Sequence, residues 1–187
     1  MKYLIAGLGN VGDNYLKTRH NIGFEILDGI AQKANTEFKL ERHAFTTSVK
    51  HKGRTFMLIK PTTYVNKSGT AINYWLQKEK IKLDNLLIIV DDIALEFGHL
   101  RLRAKGQDGG HNGLKDIGQT IGTSAYARIR FGIGSSFLKG RQAEYVLSPW
   151  TKPESQLLPE RIDQAINMVY SFGTIGVDKT MSTYNNL

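Results

Sequence analysis

His20 stands in Thr18-Arg19-His20-Asn21, directly ahead of a stretch whose apolar residues recur at helical spacing. A neutral imidazole, with a pKa of about 6.5, can take a proton from water near neutral pH, and the entrance to a helix is a rigid place from which to present one. The plainer alternative is a helix-start histidine bonded to backbone. His43, His51 and His99 lie in charged or strand-edge surroundings without a partner pattern and read as surface histidines. Asp91-Asp92 closes the most continuous apolar run of the chain, Leu86 to Val90. Adjacent strand residues point to opposite faces, so the two aspartates cannot form a close dyad, and one of them is left to orient a base. An aspartate bonded to a histidine fixes its tautomer and stabilises the imidazolium, with no serine required. Asn10, Asn66 and Asn112 each lie in a polar segment, where an amide offers donors and an acceptor to a peptide group, a ribose hydroxyl or a water.

Other chemistries are closed off. The chain has 187 residues and no cysteine, which excludes disulfide frameworks, thiolate zinc sites, Fe–S clusters and cysteine nucleophiles. There is no P-loop, no H-E-x-x-H and no G-x-S-x-G. Gly7-Leu8-Gly9-Asn10-Val11-Gly12 has the form G-x-G-x-x-G, but the stretch about 20 residues on is an amphipathic helix containing Asp28 and not a second strand ending in an acid. A nucleotide reading is therefore weak. No apolar run approaches the ~18 residues of a membrane span, and Met1 to Ala6 meets Gly7 too soon for a signal-peptide core, which predicts a protein neither secreted nor spanning a membrane.

The elements that must position these groups follow from periodicity. Tyr3 to Ala6 reads as a buried strand stopped by glycine, and Asn21 as the N-cap of a helix running to Ala34. Phe45–Lys50 and Thr55–Lys60 form a hairpin, Asn66–Lys78 a helix, and Leu86–Val90 a central strand. Leu100–Arg103 and Arg128–Phe131 alternate apolar residues with arginines and predict two strands with arginine stripes. Gly113–Ile121 and Pro153–Phe172 predict helices, the second kinked or delayed by Pro159, and the tail from Gly173 predicts loose packing. The expected fold class is α/β, a single three-layer domain over residues 1–187 with a mixed twisted sheet and helices on both faces. Ligands in such folds bind outside the carboxyl ends of the strands, where four polar segments fall: Gly7–Asn21, Thr62–Asn66, Asp91-Asp92 and Gly109–Asn112.

Lysine and arginine outnumber aspartate and glutamate 25 to 17, a net +8. Between His99 and Arg141 stand eight basic residues against Asp108 and Asp116, so this window holds six of the eight excess charges. Such local excess favours a polyanionic partner over a merely solvated face.

Gly7-Leu8-Gly9-Asn10, Tyr15, Thr18 to Phe24, Pro61 to Gly69, Asp91-Asp92, Lys105 to Lys115, and Arg128-Ile129-Arg130-Phe131-Gly132-Ile133-Gly134 together resemble the bacterial-type peptidyl-tRNA hydrolases, in order, from Tyr3 to about Pro149. The resemblance implies a cytoplasmic, monomeric, cofactor- and metal-independent esterase. Its substrate would be peptidyl-tRNA, cut between the N-blocked peptide and the terminal ribose, with neither DNA nor membrane as a partner. By carry-over of motif, His20 activates water, Asp92 orients His20, and Asn10 discriminates N-blocked from free aminoacyl substrates. Tyr15, Tyr64, Asn66 and Asn112 line the substrate cleft, and Arg101, Arg103 and Arg130 grip tRNA phosphates. Val11, Val65 and Ala94 depart from the family's usual proline, methionine and aspartate; none is a proton carrier. The alternative is a non-catalytic RNA-binding module of the same fold, as in plant proteins that act in intron splicing.

Overall fold

The structure, a computed structural model, describes residues 1–187. The chain runs β1 (Lys2–Gly7), α1 (Ile22–Lys33), β2 (Lys39–Glu41), β3 (Ala44–His51), β4 (Arg54–Pro61), α2 (Ser68–Lys78), β5 (Leu86–Asp92), β6 (Leu100–Arg103), α3 (Asn112–Ile121), β7 (Ala127–Gly132), α4 (Gln142–Val146), α5 (Lys152–Ile175) and α6 (Val177–Tyr184). The seven strands form one mixed sheet in the order β2-β3-β4-β1-β5-β7-β6. Four parallel strands, β4-β1-β5-β7, occupy its centre, with β3 and β6 antiparallel on either side and β2 beyond β3. This is the expected α/β fold with helices on both faces.

The period-2 alternation of the buried strands divides the core in two. Tyr3, Ile5, Leu87, Ile89, Ile129 and Phe131 point to one face, covered by α1 and α5 through Ile22, Ile26, Ile30, Ala165 and Val169. Leu4, Ala6, Leu86, Ile88 and Val90 point to the other, covered by α2 and α3 through Ile72, Trp75, Leu114 and Ile117. Odd residues of β5 thus face α1, and even ones face α2 and α3. That parity governs the site.

Two glycines explain the first turn without a nucleotide. A Cβ on Gly7 would meet the Gly23 carbonyl oxygen at 2.3 Å, and one on Gly23 would meet the Leu8 amide nitrogen at 2.5 Å. The strand end and the first turn of α1 are in backbone contact there, which only glycine permits. The motif is also not followed by a helix: two short 3-10 turns, Asp13–Tyr15 and Arg19–Asn21, separate β1 from α1.

The C-terminal third departs from expectation. α5 begins at Lys152 under a capping box made by Thr151 and Glu154 and continues unbroken through Pro159 to Ile175. The tail is not loose. Gly176, at φ 88°, turns the chain into α6, whose Val177, Thr180, Met181 and Tyr184 recur at helical spacing; Thr180 is buried and the other three pack on the core. Asn185 then bonds both the N–H and the C=O of Leu102 on the edge strand β6, at 2.8 and 3.0 Å. The buried polar threonine hid this pattern from a count of apolar residues.

Candidate active site

All four polar segments meet at the carboxyl ends of the central strands, around a cavity of about 620 Å³. Asn10, His20, Tyr64, Asn66, Asp91, Asp92 and Asn112 line it. Gln142, Ala143, Val146 and Leu147, from α4 and the residue after it, supply a further wall that periodicity did not reveal, because α4 has only five residues. Tyr15 does not line the cavity; its ring packs edge-on against Tyr64, centroids 6.4 Å apart. Tyr64 itself is held at φ 58° and is half exposed at the mouth.

His20 is bonded to Asp91 and not to Asp92. His20 Nδ1 donates to the Asp91 carboxylate, 2.9 Å from both oxygens. The cause is the parity of β5: Asp91 continues the Leu87–Ile89 face over which α1 and its leading turn lie, whereas Asp92 continues the opposite face. There Asp92 pairs with Arg130, which its Oδ2 meets through Nε, while its Oδ1 accepts the Ala94 N–H at 2.8 Å.

A second imidazole shares Asp91. His111 Nε2 donates to Asp91 Oδ1 at 2.9 Å, while its Nδ1 accepts the Gly113 N–H at 3.1 Å and caps α3. The cap fixes which nitrogen carries the proton. The His20 and His111 rings stand 5.2 Å apart, centroid to centroid. The sequence signal for His111 was its place in one of the four polar segments; what concealed it was the absence of any local partner. His20, Asp91 and His111 offer donor atoms within 4.8 Å of one another, a set that could also hold a divalent cation. As they stand, the two imidazole nitrogens and the carboxylate satisfy each other.

The electrostatics follow from this arrangement. Burial disfavours the imidazolium of His20, but the charge of Asp91 and its hydrogen bond outweigh burial and raise the His20 pKa above its ordinary value. Burial would raise Asp91 in turn; the two histidines overcome it and hold the carboxyl well below the usual carboxylate range. Asp91 is therefore an anion at every pH at which His20 can act as a base.

Asn10 is locked on two sides. Its backbone N–H donates to Asn21 Oδ1 and its carbonyl accepts from Asn21 Nδ2, each at 2.8 Å, so the Asn21 side chain clamps Asn10 and makes no cap on α1. Asn10 Oδ1 accepts the Val65 N–H at 2.8 Å, which leaves Nδ2 as the free end of the amide. Arg19 had no assigned role, yet it is 4 % exposed and ties the His20 turn to the α4–α5 junction. It bonds Ser148 and the Pro149 carbonyl, pairs with Glu154 at 2.7 Å and lies over the Tyr145 ring at 4.4 Å.

Arg101 and Arg130 are cross-strand partners, as are Arg103 and Arg128, so all four side chains leave the same face of the β6–β7 edge. Arg128 is buried, stacks on Tyr126 at 4.2 Å and donates to the carbonyls of Gln107, Ser124 and Tyr126, which makes it a brace for the loops beside it. Arg101, Arg103 and Arg130 lie outside the cavity lining, which Arg130 meets through Asp92.

A histidine bonded to a buried carboxylate, with amides around it, is the make-up of a general-base site on an α/β fold, and an arginine-bearing strand pair lies alongside. A family model described as peptidyl-tRNA hydrolase matches residues 4–187. A peptidyl-tRNA hydrolase of Cytophaga hutchinsonii is 53% identical over 185 residues, 99% of this chain and 98% of that one. One of Phocaeicola vulgatus is 51% identical over 185 residues, 99% of each chain. The crystal structure of peptidyl-tRNA hydrolase from Acinetobacter baumannii superposes with a TM-score of 0.91 at 33% identity, covering 98% of this chain and 94% of that one. The chain belongs to the peptidyl-tRNA hydrolase family.

Proposed function

We propose that residues 1–187 act as one enzymatic unit that cleaves the ester between an N-blocked peptide and the terminal ribose of tRNA, with His20 as general base. Membership of the family makes the protein an enzyme that hydrolyses peptidyl-tRNA. The observation that carries the residue roles is the His20–Asp91 bond at the head of the cavity. With its proton on Nδ1 and given to Asp91, the imidazole keeps the Nε2 lone pair for a water molecule. As the water oxygen bonds to the ester carbonyl carbon, Nε2 takes its proton and the carbonyl becomes an oxyanion. The tetrahedral intermediate then expels the ribose oxygen, which recovers that proton from the imidazolium. An ester, less stable than an amide, needs no acyl-enzyme for this.

The amide Nδ2 of Asn10 is a donor only, because its oxygen is taken by Val65, and it suits a peptide carbonyl of the N-blocked substrate. Asn66 and Asn112 supply further amides for the carbonyl and the ribose hydroxyls, and Tyr64, backed by Tyr15, an aromatic shelf at the mouth. Arg101, Arg103 and Arg130 meet tRNA phosphates outside the cavity, where contacts position the polymer without reading bases. No helix is long and apolar enough to cross a membrane. We infer a cytoplasmic, monomeric protein with no need of a cofactor.

Turnover of a peptidyl-tRNA by the wild-type chain and by His20→Ala tests the reading. Loss of the base should lower turnover by about 10²-fold or more while tRNA binding is nearly unchanged. A wild-type chain that binds tRNA without hydrolysing peptidyl-tRNA would be the RNA-binding module instead, and a fully active His20→Ala would remove His20 from the chemistry.

A further inference from the structure

Asp92 is within a strand residue of the catalytic centre, yet both its oxygens are committed away from His20, one to the Ala94 N–H and one to Arg130 Nε. Gripping a guanidinium by Nε leaves its two Nη groups unclaimed, and no carbonyl or carboxylate of the protein takes them up. Arg130 stands opposite Arg101 in the β6–β7 register, so their side chains share a face, and Arg101 has no acidic partner. Asp92 lines the cavity while Arg130 stands outside it, so the ion pair lies on the border between the reacting centre and the arginine face.

We propose that Asp92 is a positioning residue for RNA backbone phosphate: by holding Arg130 at Nε, it aims the Nη pair, beside Arg101, at one phosphate of the bound tRNA. This rests on the reading of the protein as a peptidyl-tRNA hydrolase. A guanidinium fixed in this way presents a planar pair of donors that matches two phosphate oxygens, and the entropy of ordering it has been met before the tRNA arrives.

The proposal opposes plain electrostatics in sign, which makes it testable. If Asp92 were only a counter-ion, Asp92→Asn would add one positive charge to the face, tighten tRNA binding and steepen its salt dependence by about one phosphate contact. If Asp92 positions Arg130, the same isosteric variant should weaken binding of deacylated tRNA by about three- to tenfold, the range of one lost contact, without a steeper salt slope. Arg130→Lys supplies the second arm, and stands alone should the Asp92 variant fail to fold. Lysine keeps the charge but has neither the Nε grip nor the Nη pair, so it should bind as weakly as Arg130→Gln.

Tighter binding by Asp92→Asn, or wild-type binding by Arg130→Lys, overturns the proposal. An enzyme that turns over peptidyl-tRNA while Arg130→Gln binds tRNA like wild type overturns it too, and leaves the hydrolase reading standing. Loss of turnover by the wild-type chain is the separate failure of that reading. As a control on mechanism, Asp92→Asn should leave the midpoint of the pH–rate profile in place, because Asp92 does not touch His20.

Discussion

One carboxylate, Asp91, serves two imidazoles, and the sign of its effect on His20 can be measured. In the folded protein Asp91 raises the His20 pKa above about 6.5, so the acid limb of kcat/KM should lie above that value, with activity gained as pH rises through it. Asp91→Asn removes both the charge and the carboxylate hydrogen bond and leaves burial alone, which acts in the opposite direction. The acid limb should therefore move to lower pH, while turnover falls on the order of 10²-fold or more because the imidazolium loses its support. A profile that stays in place would show that Asp91 does not control the base. Asn10 belongs to the same scale. Because its Nδ2 is the only free end of the amide, Asn10→Ala should lower the rate on N-acylated aminoacyl-tRNA more than on free aminoacyl-tRNA. Rates on the two substrates, measured side by side, decide it; an unchanged ratio would remove Asn10 from selectivity.

At the scale of elements, the short turn carrying His20 is held from two directions. Asn21 clamps it to the strand-end turn at Asn10, and Arg19 ties it to the junction of α4 and α5. Arg19 and Glu154 are both largely buried, so Arg19→Ala would leave Glu154 without a counter-charge, held only by the Thr151 N–H, as well as emptying the space over Tyr145. A loss of about 3–5 kcal/mol in unfolding free energy is expected, read by chemical denaturation. A variant as stable as wild type would show that the junction stands without the arginine. Because α4 also walls the cavity, the same variant should raise KM for the peptide-bearing substrate. α6 plays a comparable part at the far edge, where Asn185 occupies both backbone groups of Leu102, between Arg101 and Arg103.

On the proposed reading, chemistry and grip occupy separate parts of the molecule. The cavity lies at the carboxyl ends of the parallel strands, and four of the eight basic residues between His99 and Arg141 stand on the adjoining antiparallel edge. Binding of tRNA should accordingly weaken steeply with salt, and Arg103→Gln should flatten the slope of log K against log salt by about one contact. A minimal ester without the acceptor stem does not reach this face, so its KM should not change in the same variant. Equal losses on both substrates would place the tRNA grip elsewhere.

Much of this was legible in the residues themselves. Alternation along Leu86–Asp92 showed that Asp91 and Asp92 point to opposite faces, and Leu100–Arg103 with Arg128–Phe131 announced two arginine stripes, because strand parity is a local property of the backbone. The helical spacing after Asn21 likewise placed His20 at a helix mouth. Local parity does not say which face a distant helix covers. That Asp91 and not Asp92 meets His20 was decided by α1 crossing the odd face of β5, and that His111 joins them was decided by a loop arriving from the opposite face, about 90 residues after His20. The Asp92–Arg130 pair, the Arg19 tie and the docking of α6 are likewise contacts between segments far apart in the chain, whose partners acquire neighbours only once the sheet has assembled.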